Sequence, residues 1–371
     1  MALALPAFTG CSSSNGKISM LPGSQALWVA NGTNVLEFAS TSLTTKGSFA
    51  AAPSLTVSSS AFAALRGLAF DSSADLWVVD GGNTDTGGTT KPALYEFTST
   101  QLMSEIHSGL GLMPPNVTIH SNAFVFPQQV VFDSKGDLWV SDSGANAVYE
   151  FTPAQLMASD ANGMPNTAIT SNPAFNSGFG RNDAAALGLA LDAAGDLWVA
   201  NNGASTILEF NAAALAAASG SVTLTPSVVL SNGGGNGGID NPWALAFDSS
   251  GNLWFSNAGY VGMLDPLIHA SNTVVEFPKA SLTASGSPTP AVTLSSATVG
   301  GNASLNFPTG IAFDSSGDLS VVNSASPYGV GLYSASQLTT GGAVTPNVLL
   351  IGTATTLKAP AGVSFGPAIT P

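Results

Sequence analysis

The sequence predicts an all-β fold, a six-bladed β-propeller of four-stranded antiparallel blades, on three observations. The first is a recurring phrase: an apolar strand ending in Asp, a Gly-bearing turn, then Leu-Trp-Val and Asp or Asn. It reads GLAFDSSADLWVVD (67–80), VVFDSKGDLWVSD (130–142), GLALDAAGDLWVAN (188–201), ALAFDSSGNLWFSN (244–257) and GIAFDSSGDLSVVN (310–323). Units of this kind bury their faces only against neighbouring units, so the repeat defines an architecture rather than a string of domains. The second is a strand ending in Glu-Phe after five of the copies, followed by one more short apolar strand. The third is a mismatch at the two ends. A headless copy, ALWVAN (26–31), opens the repeat, and an unpaired strand, PAGVSFG (360–366), follows the last one and resembles PTGIAFD (308–314). Ring closure accounts for both ends, because the C-terminal strand about 360–366 joins the N-terminal blade and removes two open sheet edges.

In chain order, residues 1–25 read as a leader and 26–371 as one propeller. The single cysteine, Cys11, lies in LPAFTGCSSSNG, small residues before it and a Ser-rich tether after it. This resembles the lipobox of bacterial lipoproteins, which implies lipidation at Cys11 and an extracytoplasmic site; the alternative is an incidental thiol in a leader. Within each unit the inner strand (Leu68, Ala69 and Phe70 in the second) runs into an Asp turn. Gly at the fourth turn position tolerates positive φ, and the Asp side chain bonds the turn amides. The Leu-Trp-Val strand suits a buried pleated surface. The third strands are VLEF (35–38), LYEF (94–97), VYEF (148–151), ILEF (207–210) and VVEF (274–277), with Gly331-Leu332-Tyr333 in the last unit. Capping-box helical turns follow at Thr98–Gln101, Thr152–Gln155 and Ser334–Gln337. Fourth strands SLTVS, NVTIH, NTAIT, SVVLS, AVTLS and NVLLI complete the blades.

Composition narrows the function. There are 22 acids against 8 bases, and only 8% of residues are charged. A phosphate-neutralising surface needs clustered Lys and Arg, so nucleic acid is excluded as an expected partner. No run approaches the ~20 apolar residues of a membrane span, which leaves a lipid on Cys11 as the expected route to a membrane. A monomer is expected.

Segments such as FDSKGDLWVSDSGANAVYEF (132–151) resemble NHL repeats and related six-bladed propellers, among them gluconolactonase-like enzymes and virginiamycin B lyase. That resemblance implies the propeller fold over nearly the whole chain after residue 25, and it implies no single activity. Gluconolactonase-like propellers hold a divalent metal with Glu, Asn and Asp, including an Asn just before the inner-strand Gly. Here that position holds Arg66, Gln128, Leu187, Trp243, Thr309 and Ala361. The lyase-like enzymes use clustered His and Glu with Mg²⁺; the loops here offer His269 and no unrepeated Glu.

Propellers bind at the mouth formed by the loops that precede each inner strand and those between strands two and three. Here these are the long Gly-, Asn- and Ser-rich loops. Repeated acids are expected to satisfy turns. The unrepeated ones, Asp85, Asp183, Asp240 and Asp265, map to the mouth, as do the two arginines, Arg66 and Arg181. Arg66, just before an inner strand, would grip a carboxylate or phosphate with its planar fork, or else pair with Asp183 or Asp80. The expected ligand-binding set is Arg66, Arg181, Asp183, Asp240, Asp265 and Trp243. Metal candidates are Asp80, Asp142, Asp183 and Asp240, with Asp265 added for an enzyme.

Two functions follow. The first is an exported, non-catalytic NHL-type scaffold that binds a protein, glycan or small molecule at its mouth and needs no cofactor. The alternative is a Ca²⁺- or Mg²⁺-dependent lactonase or lyase. A third reading makes the propeller a spacer, its channel plugged by Trp243.

Overall fold

The recurring Asp turn closes on itself. Asp71 N donates to Asp75 O (3.1 Å) and Ala74 N to Asp71 O (3.0 Å), while Asp71 Oδ1 accepts from Ser73 N (2.8 Å) and Asp75 N (3.0 Å). The fourth turn residue is left-handed, with φ between +81° and +86° at Gly136, Gly195, Gly251 and Gly317 and +64° at Ala74. Ala74 adopts this conformation at a cost of about 1 kcal/mol relative to Gly. The second Asp oxygen reaches the next strand: Trp77 Nε1 donates to Asp71 Oδ2 (3.2 Å), Trp198 to Asp192 (3.3 Å) and Trp254 to Asp248 (3.1 Å). Each indole is thus held at its polar edge by its own turn. Its apolar body packs edge-on against the Phe that ends the next blade's inner strand, as in Trp77–Phe132, Trp198–Phe247 and Trp254–Phe313. One residue type thereby joins turn to strand and blade to blade.

The computed structural model describes residues 25–44, 46–83, 87–108, 112–171, 186–232, 238–258 and 272–369. In blade two, Leu65–Phe70, Leu76–Asp80, Ala93–Phe97 and Val117–Ser121 pair antiparallel in that order, from the axis outward. Blades three to six repeat this with inner strands Pro127–Phe132, Ala186–Leu191, Pro242–Phe247 and Pro308–Phe313. Blade one is built from both ends of the chain. Its inner strand, Pro360–Pro367, pairs antiparallel with Gln25–Asn31, placing Leu27 opposite Phe365 and Val29 opposite Val363. Trp28 has no Asp turn of its own, and it donates instead to Pro367 O (3.1 Å). The expected all-β ring of six blades and its closure are both present.

The rim holds an element that was not expected. Past the helical turn of one blade, the chain runs parallel to the outer strand of the preceding blade. Asp160–Gly163 pairs with Val117–Ser121, Gly220–Leu224 with Thr167–Ser171, Gly342–Ala343 with Val292–Ser295, and Gly47–Phe49 with Val348–Ile351. These straps cover outer edges that would otherwise present unpaired backbone groups. The capping boxes at Thr152 and Ser334 are formed, and the Thr98–Gln101 pair has the same bonds. The capping glutamines also donate from Nε2 to Pro114 O, Met164 O and Thr345 O, tying the helical turn to the segment beyond it.

Ring closure has a titratable component. Glu37 is 0% exposed, accepts from Ile369 N (2.9 Å) through Oε1, and has no partner at Oε2. Burial pushes its carboxyl from 4.5 up to about 7, against the lowering pull of the Ile369 N–H. The folded protein therefore holds this proton more tightly than the unfolded chain. The contribution is full below pH 4.5 and is lost as pH rises through about 7. Glu37→Gln is expected to leave stability at pH 4.5 nearly unchanged and to raise it by about 1–3 kcal/mol at pH 8. Denaturant unfolding at several pH values checks this; identical pH slopes in both proteins would contradict it.

Candidate functional site

The inner strands abut closely around the axis at the mouth end, and several of them carry Gly at the point of contact. A Cβ on Gly188 would lie 2.5 Å from Trp243 O, and one on Gly362 would lie 2.4 Å from Arg66 O. This contact draws the residues just before it into one ring. Ala361, Arg66, Gln128, Leu187, Trp243 and Thr309, one from each blade in order, all line a cavity of about 260 Å³. Gln129, Phe307, Ser324, Tyr328 and Pro360 contribute to its wall. Blade order sets Arg66 of blade two opposite Trp243 of blade five.

Each of these two residues rests on an aromatic ring. The Arg66 guanidinium carbon lies 4.7 Å from the Phe126 centroid, a cation–π contact that orients the planar fork. Phe126 is itself fixed by Asp142, whose carboxylate accepts from Val125 N (2.8 Å), Phe126 N (2.9 Å) and Ala145 N (2.9 Å). Trp243 meets Phe307 edge to face, with centroids 5.1 Å apart. Phe307 has φ +57°, a left-handed conformation that a bulky residue adopts at about 1–3 kcal/mol. It is held there by Asn272 Oδ1, which accepts from Phe307 N (3.0 Å), and by Ser324 N, which donates to Phe307 O (3.0 Å). The Thr309 and Ser324 hydroxyls stand against each other, with Ala361 O beside Thr309 and Pro360 O beside Ser324, and their two protons serve two of these three contacts. The cavity wall is therefore continuous with the ring-closing strand.

Of the residues read from sequence, the cavity brings together Arg66 and Trp243. Trp243 lines the cavity wall and meets Phe307 there. Asp80 and Asp142 lie at the mouth end of strand two, fully buried and directed at backbone. Asp80 Oδ2 accepts from Ala63 N (2.7 Å), and Oδ1 accepts from Ala64 N (2.9 Å) and Gly82 N (2.7 Å). Burial raises the Asp142 carboxyl and the surrounding N–H groups lower it. Asp240 is half-buried outside the cavity wall; its N donates to Asn257 Oδ1 (3.0 Å), and its Oδ1 accepts from Asn241 Nδ2 (3.3 Å). Cys11, Asp85, Arg181, Asp183, Asp265 and His269 lie outside the described residues.

No protein-family model matches the chain, and no curated protein matches it in sequence. Solved structures match by shape. A protein of unknown function from Bacteroides caccae is 10% identical, with TM-score 0.55, over 92% of this chain and 99% of that one. A 6-phosphogluconolactonase-like protein from Bacteroides fragilis is 14% identical, with TM-score 0.49, over 94% and 99%. Virginiamycin B lyase from Staphylococcus aureus is 12% identical, with TM-score 0.42, over 73% and 67%. The likeness is one of fold.

A divalent metal, which the resemblance to lactonase- and lyase-type propellers implies, does not fit the described mouth. None of the cavity-lining residues is a carboxylate or an imidazole, and the oxygens of Asp80 and Asp142 already accept from amides. Among the described residues, three carboxylates converge at Asp71, Asp75 and Glu96 on the opposite, turn-bearing face. They already accept from Ser73 N, Trp77 Nε1, Ser99 N and Asn116 Nδ2. Phe126, Phe307, Ser324 and Tyr328 lie in the loops expected at the mouth but were not singled out as site residues. A signal was available: Phe126 and Phe307 each stand before the Pro that opens an inner strand.

Proposed function

We propose that this chain is a non-catalytic, NHL-type binding propeller that captures a small polar ligand, or the end of a glycan or protein chain, in its mouth cavity. Export, with Cys11 as a lipid anchor, belongs to the same proposal. The observation that carries it is the character of the cavity: six blades contribute to one pocket that offers a guanidinium, amides, hydroxyls and aromatic faces. Concave sites that combine apolar walls with a few convergent polar groups are the usual form of small-molecule sites. Hydrolysis or elimination asks for a general base or a metal-held water, and the described lining residues supply neither. The test is a ligand panel of saccharides, organic acids and short peptides, read by thermal unfolding of the full chain and paired with elemental analysis. Binding is expected to raise the midpoint by several degrees in the wild type and not in Trp243→Ala. A stoichiometric Ca²⁺ or Mg²⁺ that is lost in Asp183→Ala or Asp240→Ala, together with lactone or lyase turnover, would replace this reading with the enzymatic one.

A further inference from the structure

The carboxyl at the ring closure is set apart from its counterparts in the next two blades. Glu37 pairs with Trp28 as Glu96 does with Trp77 and Glu150 with Trp139. In blades two and three that carboxyl accepts from an asparagine, Asn116 Nδ2 at 2.6 Å and Asn166 Nδ2 at 2.7 Å. Ser54 takes the place of that asparagine in blade one: its N donates to Glu37 O as Asn116 N does to Glu96 O. The Ser54 hydroxyl, however, accepts from Ala39 N. Glu37 is left with the bond from Ile369 N and a buried Oε2 without a partner. Ile369 lies just past the closing strand, Pro360–Pro367, which meets Gln25–Asn31 through non-covalent contacts alone, with no Asp turn between them. We infer that Glu37 is a proton-operated latch: the closing strand docks while this carboxyl is neutral and undocks ahead of the rest of the ring when it ionises.

The surroundings of Glu37 favour the neutral form. Trp28 and Leu55 are its partners on the flanking strands, and they share one apolar cluster with Ile369, Ala368, Phe70, Leu102 and Met113. None of these carries a charge, and among the described residues no charged group shifts Glu37. Undocking admits water to the carboxylate, so ionisation and opening favour each other. Burial holds the docked carboxyl at about 7 against an ordinary 4.5. Docking is therefore fully supported below pH 4.5, and the support is lost as pH rises through about 7. The opening falls to this strand because no turn ties it to its neighbour. Its first residues, Pro360 and Ala361, line the mouth cavity, so a latch at one end of the strand acts on the cavity at the other.

The experiment is amide hydrogen exchange of the full chain from pH 4.5 to 8, corrected for the intrinsic exchange rate at each pH. Protection of residues 361–366 and Ile369 is expected to fall roughly 100-fold over that range. Protection of Leu253–Asn257 in blade five should fall far less. Glu37→Gln should keep the protection of the closing strand flat. Should that variant not fold, the wild-type contrast between the closing strand and blade five decides alone. A flat wild-type profile, a fall shared equally by blade five, a fall confined to Ile369, or one that persists in Glu37→Gln would each overturn the inference.

Discussion

Removal of residues 360–371 is expected to abolish cooperative folding outright, not merely to lower the unfolding midpoint. The lost strand is the inner strand of blade one, and every group it contributes is long-range. Val363 and Phe365 pack in one cluster with Leu27, Val29, Leu36, Phe38, Val322 and Val330, which come from blades one and six. Burying two such side chains contributes about 1.5–3 kcal/mol each, and their removal also exposes the apolar residues they cover. The antiparallel ladder with Gln25–Asn31 disappears, as do the bond from Trp28 Nε1 to Pro367 O and the bond from Ile369 N to Glu37 Oε1. Glu37 would then lose its one backbone donor. Since a folded domain of this kind has a total stability of about 5–15 kcal/mol, the deficit is expected to exceed what remains. Circular dichroism and tryptophan fluorescence during urea unfolding would show a broad, non-coincident loss of signal. Phe365→Ala provides the graded control: it should cost about 3–5 kcal/mol with a sharp transition retained. A truncated chain that unfolds in one sharp step near the full-length midpoint would show that the ring does not depend on this strand.

The closing strand was legible because a repeat leaves a visible remainder, in this case a headless first copy and a surplus last strand. The straps were not. Asp160–Gly163 reads DANG and Gly220–Leu224 reads GSVTL, mostly exposed segments that pair through backbone groups. Main-chain pairing at a polar edge leaves no pattern of apolar side chains to read. The site divides along the same line. Arg66 and Trp243 stood out by breaking the repeat at one shared register, and that register became the cavity ring. Phe307, Ser324 and Tyr328 reach the same space through a left-handed backbone and the order of blades, which spacing along the chain does not express. Asp80 and Asp142 show the limit of reading chemistry from residue type. Two unpaired-looking acids at a mouth suggested a metal, whereas the amides they accept from lie mostly 16–17 residues upstream, in the loop before the inner strand.

The same geometry explains why this position is Asp in two blades and Asn in the others, and it makes Asp142, like Asp80, a sensitive polar residue near the site. Both oxygens of Asp142 accept. Where Asn stands, one end accepts and the other donates: Asn323 Oδ1 accepts from Asn306 N (2.9 Å) and Nδ2 donates to Ser304 O (3.0 Å). Asn257 likewise accepts from Asp240 N and donates to Gly238 O. Asp142→Ala strands three backbone donors at a buried position and is expected to cost about 3–5 kcal/mol. Asp142→Asn turns an NH₂ toward an N–H and should cost about 1–3 kcal/mol; Asn257→Asp, which sets a carboxylate oxygen against Gly238 O, should cost a similar amount. Urea unfolding of the three variants reads these values directly, and an Asp142→Asn protein as stable as wild type would contradict the assignment of both oxygens as acceptors. Because Asp142 holds the Phe126 amide, and Phe126 carries the Arg66 guanidinium, the milder Asp142→Asn variant should also shift the Arg66 side of the cavity. Binding that depends on Trp243, across the ring, should persist in that variant, because a shift confined to blades two and three leaves blade five in place.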